Sequence, residues 1–126
     1  MKKLFIIYFF ALIPSFVICQ QRKVLLEEFT GAYCSNCPMG NYYSDSMLAK
    51  HPDLIVVALH AYQPADAMHF PMLDSLYATY SAGAPLAAID RIYWGTGVAQ
   101  FYNTWDSKIQ QRLAVTPSVN VSVSSS

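Results

Sequence analysis

The chain has 126 residues with eight basic and eight acidic side chains, a length that suits one modest domain. Hydrophobic residues make up 54% of it and fifteen of the first nineteen are apolar, so the remainder keeps an ordinary globular composition, with six bases against eight acids. That balance excludes an electrostatic nucleic-acid binder, the aromatic content excludes a disordered chain, and three cysteines with only two close together exclude a disulfide-framework miniprotein.

Residues 1–19 read as a secretory signal peptide, because Lys2 and Lys3 precede an apolar run over 4–18 that Pro14 interrupts. At about 1.5 Å per residue this run is too short to span roughly 30 Å of hydrocarbon. Cleavage after Cys19 discards one cysteine and leaves Cys34 and Cys37 in an oxidising compartment. Acylation of Cys19 is the alternative, and Ile18 weighs against it because the residue before a lipidated cysteine is normally small. The expected location is therefore the periplasm, the outer membrane or the cell surface.

In the mature chain, 23–29 (K-V-L-L-E-E-F) is the first strand candidate. The segment 34–50 is a helix candidate with Met39, Tyr43 and Met47 on one stripe, weakened by Gly40 and Asn41 and stopped by His51-Pro52. Residues 54–59 (L-I-V-V-A-L) are apolar throughout, which suits a central parallel strand covered on both faces. Leu73, Leu76, Tyr77 and Tyr80 fall at i, i+3, i+4 and i+7 and mark a helix opened near Pro71 and closed before Gly83. A third strand is expected at 86–92, an extended loop at 92–100, and a helix carrying Phe101, Trp105, Ile109 and Leu113. This alternation implies an α/β domain with a parallel or mixed sheet over 20–115. Val119, Val121 and Val123 then alternate with Asn120, Ser122 and Ser124 in a strand rhythm, the expected start of a β-rich region over 116–126 of which only the front is in hand.

Cys34-Ser35-Asn36-Cys37-Pro38 follows the first strand and opens the helix. Backbone N–H groups and the positive end of a helix dipole stabilise a thiolate there, so Cys34 is the expected exposed nucleophile. Cys37, one turn on, is expected to face inward and resolve a mixed disulfide, and Pro38 suits a first turn where no N–H partner is lost. Other readings remain beside redox chemistry: a structural staple, for which a loop of about four residues gains only roughly 2 kcal/mol; a zinc site completed by His51, His60 or His69; and a buried pair without function. No metal and no cofactor is expected.

The stretch V-L-L-E-E-F-T-G-A-Y-C-S-N-C-P resembles the active-site segment of thioredoxin-like proteins. Tyr33 stands where an aromatic precedes the cysteines, Glu28 matches the buried acid, and Gly83-Ala84-Pro85-Leu86 looks like the cis-proline loop. More narrowly, E-E-F-T-G-x-x-C-x-x-C-P with a later G-x-P and Asp90-Arg91 looks like the thioredoxin-fold outer-membrane-protein family of Bacteroidetes, some of whose members carry a β-rich C-terminal region. The resemblance covers about 23–92 and implies a three-layer thioredoxin-like fold with a mixed central sheet. It departs after Arg91, where thioredoxins run a tight hairpin and this chain has I-Y-W-G-T-G-V-A-Q.

On that resemblance Cys34, Cys37 and Glu28 are the expected catalytic residues, with Cys34 and Cys37 forming the disulfide. Tyr33, Ala84 and Pro85 are the expected substrate contacts. Alternation places Glu27 and Glu28 on opposite sheet faces, so one of them is expected in solvent. His60 is expected to be a hydrogen-bonded structural histidine, and Asp90 and Arg91 a local polar pair. The aromatics Tyr93, Trp94, Phe101, Tyr102 and Trp105 read as core or lid. The implied activity is an exported thiol–disulfide oxidoreductase acting on protein or peptide thiols and disulfides, with a redox partner of unstated identity and outer-membrane association in prospect. The rival is a surface-associated binding protein whose thioredoxin-like module is a scaffold that no longer cycles.

Overall fold

A computed structural model describes residues 21–62, 65–80 and 83–119. The expected signal peptide and most of the valine-rich segment lie outside the described residues; Val119, at its start, sits in a bend. Strand β1 (Val24–Thr30) is the middle of the sheet. It pairs in parallel with β2 (Leu54–His60), in register Val24 with Leu54 through Thr30 with His60. On its other side it pairs antiparallel with β3 (Leu86–Ile89), which pairs antiparallel with the two-residue β4 (Ala99–Gln100). The order β2-β1-β3-β4 makes a mixed four-stranded sheet in an α/β arrangement.

Helix α1 (Cys37–Lys50) is the crossover that a parallel pair requires. Together with α3 (Trp105–Leu113) it covers one sheet face, where Met47, Trp105 and Ile109 pack on Val24, Leu26, Leu54, Ala87 and Ile89. Helix α2 (Leu73–Tyr80) lies on the other face, with the expected Leu73, Leu76, Tyr77 and Tyr80 stripe against Phe29, Leu59 and Ala88. Each large apolar side chain buried this way contributes about 1.5–3 kcal/mol of transfer free energy. A 3-10 turn (Tyr102–Thr104) leads into α3, whose Trp105 donates its indole N–H to the Gln100 carbonyl at 2.8 Å.

Several expectations change. The apolar run 54–59 is an edge strand and is not covered on both faces: Ile55 and Val57 are 49% and 41% exposed. β1 and β3 are the inner strands and β2 has only β1 beside it, a fact that local hydropathy does not carry. In α1 the buried stripe is Cys37, Gly40, Ser44 and Met47, while Met39 is exposed. The helix also begins three residues later than expected, since Asn36 is its N-cap and 34–36 form a turn closed by the Cys37 N–H on the Cys34 carbonyl. β3 stops at Ile89 because Asp90 and Arg91 both take positive φ, 49° and 53°, which turns the chain away from the sheet.

Asp90 and Arg91 do not pair with each other. Asp90 accepts hydrogen bonds from Arg22, Arg112 and the Leu25 backbone N–H, tying β1 and α3 to the end of β3. Arg91 grips Glu27 through two bonds of 2.7 and 2.6 Å. That clamp is why Glu27 is buried instead of solvated, so neither acid of the pair faces water. Residues 92–98 are loop, as expected, and only the last two residues of the expected loop, Ala99 and Gln100, pair antiparallel with β3 as β4. Of the aromatics there, Trp105 is core, whereas Tyr93 and Phe101 are exposed. No described helix is long and apolar enough to cross a membrane.

Candidate active site

β1 delivers the chain to Thr30, and a turn over 31–36 with the Cys34 N–H on the Gly31 carbonyl sets both cysteines at the head of α1. Cys34 and Cys37 form a disulfide with S–S 2.04 Å. Cys34 is 8% exposed and Cys37 2%, so the first sulfur is the more accessible, though far less open than an exposed nucleophile would be. The first turn of α1 holds Pro38 and no acid, so no carboxylate in that turn competes with a thiolate for the positive end of the helix dipole.

The loop before β3 comes round to the same place. Its Ala84–Pro85 peptide is cis, and the Ala84 carbonyl oxygen lies 3.8 Å from Cys34 Sγ, where a reduced thiol has an acceptor. Ala84 and Pro85 are thus brought against the disulfide. Tyr33 is not packed: at 67% exposure it stands in solvent next to Cys34.

Glu28, 1% exposed, lies against Gly40 near the start of α1, where Pro85 also approaches. Ser44 Oγ donates to its Oε2, while Oε1 has no partner. Burial pushes its pKa above the ordinary 4.5 and Asp45 adds to this, against the Ser44 hydrogen bond and the more distant His60. Two residues that sequence reasoning missed make room for it. A Cβ on Gly40 would overlap Glu28 Oε1 and approach Pro85 Cβ to 2.5 Å, so only glycine lets α1 sit this close to both the acid and the proline loop. Ser44 supplies a hydroxyl that donates to the carboxyl. The signal for both was the spacing of Cys37, Gly40 and Ser44 at i, i+3 and i+7, one helical face of small residues. A cavity of about 310 Å³ bordered by Glu28, Ser44, Asp45 and His60 adjoins the carboxyl.

Asp66 was also missed. Its Oδ2 accepts the Ala32 N–H at 2.6 Å and meets His60 Nδ1 at 2.7 Å; its Oδ1 accepts the Met68 N–H at 2.9 Å. The His60 bond first, then the two backbone N–H bonds, pull its pKa down to about 2. His60 is therefore structural, as expected, and Asp66 is the strut that fixes the turn two residues before Cys34. His51 and His69 are likewise engaged by carboxylates, Asp106 and Asp74. Among the described residues no group of three or more His, Cys, Asp or Glu could hold a metal ion.

No family model, curated protein or solved structure matches this chain. What the geometry defines is a CxxC disulfide at a helix head, faced by a backbone carbonyl, with a buried carboxyl against Gly40 of the same helix.

Proposed function

We propose that the chain is an exported thiol–disulfide oxidoreductase with a thioredoxin-like fold, resembling the outer-membrane-protein family named above. The observation that carries this reading is the Ala84 carbonyl lying against the Cys34–Cys37 disulfide, with the buried Glu28 and Pro85 both packed at Gly40 of the helix that the disulfide heads. In the reducing direction the Cys34 thiolate attacks a substrate disulfide, forming a mixed disulfide and expelling one substrate thiolate, which takes up a proton from water. Cys37 then loses its proton to Glu28 and attacks Cys34 Sγ. The second substrate thiolate leaves, and two electrons have passed from the protein dithiol to the substrate. A small dithiol or a partner dithiol restores the reduced protein. Running backward, the same steps oxidise a substrate dithiol.

Reduction of insulin by the protein with a dithiol regenerant tests this directly. Turnover that Cys34→Ser abolishes is the expected result; turnover unchanged by that substitution contradicts it. One observation favours the second reading, a scaffold that does not cycle: both sulfurs are largely buried. A reduction potential below about −300 mV, in the range of structural disulfides, would support the scaffold over the enzyme.

A further inference from the structure

The loop after β2 is bolted to the turn that carries Cys34. Asp66 holds both backbones on one carboxylate, its Oδ2 accepting the Ala32 N–H at 2.6 Å and its Oδ1 the Met68 N–H at 2.9 Å. Tyr62 donates its backbone N–H to the Thr30 carbonyl at 3.4 Å and lies against Gly31, where an added Cβ would come within 3.2 Å of the Tyr62 Cβ. Tyr62 and Met68 therefore stand beside the same turn as Tyr33, and all three are exposed. Phe70 and Met72 continue the loop towards α2 and are exposed as well. Met68, Phe70 and Met72 belong to neither cluster of the core.

Three segments frame the disulfide: 29–37, the loop 61–72, and 83–86, which brings the Ala84 carbonyl to Cys34 Sγ. Their sequence has no lysine, arginine or glutamate. The two ionisable side chains of loop 61–72 are engaged inside the protein, Asp66 with His60 and His69 with Asp74. An anionic compound such as glutathione disulfide meets no cation in these segments, and a charged peptide gains no counterion from them. An apolar stretch of polypeptide does gain, by covering tyrosine, methionine and phenylalanine surface that folding leaves in water. Methionine adds tolerance, since its unbranched, polarisable side chain repacks against differing shapes. Because Cys34 is largely buried, a partner must press on the surrounding surface to reach the sulfur, so that surface sets which disulfides react.

We propose that Tyr33, Tyr62, Met68, Phe70 and Met72 form a substrate rim that selects disulfides lying in apolar stretches of unfolded polypeptide. The proposal rests on the oxidoreductase reading and names its substrate class.

Two peptides with the same disulfide test this, one flanked by leucine and phenylalanine and the other by glutamate and serine. Each is reduced in a single turnover by the pre-reduced full chain, and its rate constant is divided by that of a small dithiol with the same peptide. The parent is expected to favour the apolar peptide by roughly tenfold or more. Met68→Ser with Phe70→Ser is expected to bring that ratio close to one, and Met68→Leu with Phe70→Leu to keep it. A ratio near one in the parent overturns the proposal and leaves the oxidoreductase reading standing. So does a preference that survives the serine pair, which puts recognition elsewhere. A ratio near one in a parent that dimerises, with the serine pair monomeric, gives the surface to a second copy instead. No reduction of either peptide overturns the oxidoreductase reading and the proposal with it.

Discussion

Gly40 carries more of the site than its lack of side chain suggests. It lets α1 close on Glu28 and Pro85, and Gly40→Ala pushes a methyl into both. We expect a loss of about 1–3 kcal/mol in denaturant unfolding, the usual range for overpacking, against the small gain alanine gives elsewhere in a helix. Glu28 makes the opposite kind of contribution. Its folded pKa is raised by burial, so the stability it lends is fully present below its ordinary 4.5 and is lost as pH rises through the raised value. Glu28→Gln is therefore expected to match the parent in acid and exceed it in stability at neutral pH and above, while slowing the resolving step. Equal unfolding midpoints at pH 8 would contradict the burial argument. The sequence carried the identity of both cysteines, the acid and the proline, because each is a chemically distinctive residue in a distinctive local setting. It did not expose Asp66, which is six residues beyond His60 in a loop and acquires its role only when that loop folds back on Ala32.

Among the elements, α2 was legible from its four apolar positions at helical spacing, and it packs by them. α1 was legible as a helix but not in its orientation: the large residues Met39, Tyr43 and Met47 suggested one stripe, whereas the face turned to the sheet also carries Gly40 and Ser44. A helix that must approach a buried carboxyl and a proline turns its small residues inward. For β2, uniform hydropathy could not distinguish an edge from a centre, since pairing is settled by the rest of the chain. α3 rests on Trp105, which is fully buried and hydrogen-bonded to β4. Trp105→Ala is expected to cost about 3–5 kcal/mol in equilibrium unfolding, and a loss below 1 kcal/mol would show that α3 is not part of the core. The strut at Asp66 acts between elements. Its lowered pKa means that the stability it lends is present above the ordinary 3.8 and is lost as pH falls through about 2. Asp66→Ala is expected to accelerate exchange of the Ala32 amide about tenfold while β3 stays protected.

At the scale of the molecule, one sheet brings three distant stretches to a common end. β1 delivers the cysteine turn, β3 starts at the proline loop, and the parallel β1–β2 pair places His60 and its Asp66 partner beside them. The most direct measurement of whether this convergence is catalytic is trapping with Cys37→Ser, which removes the resolving thiol. Incubated with a disulfide-bonded protein substrate, that variant is predicted to accumulate a mixed disulfide through Cys34, seen by mass spectrometry and absent from the variant lacking both cysteines. No adduct at Cys34, under conditions where the reduced variant is folded, would contradict the account.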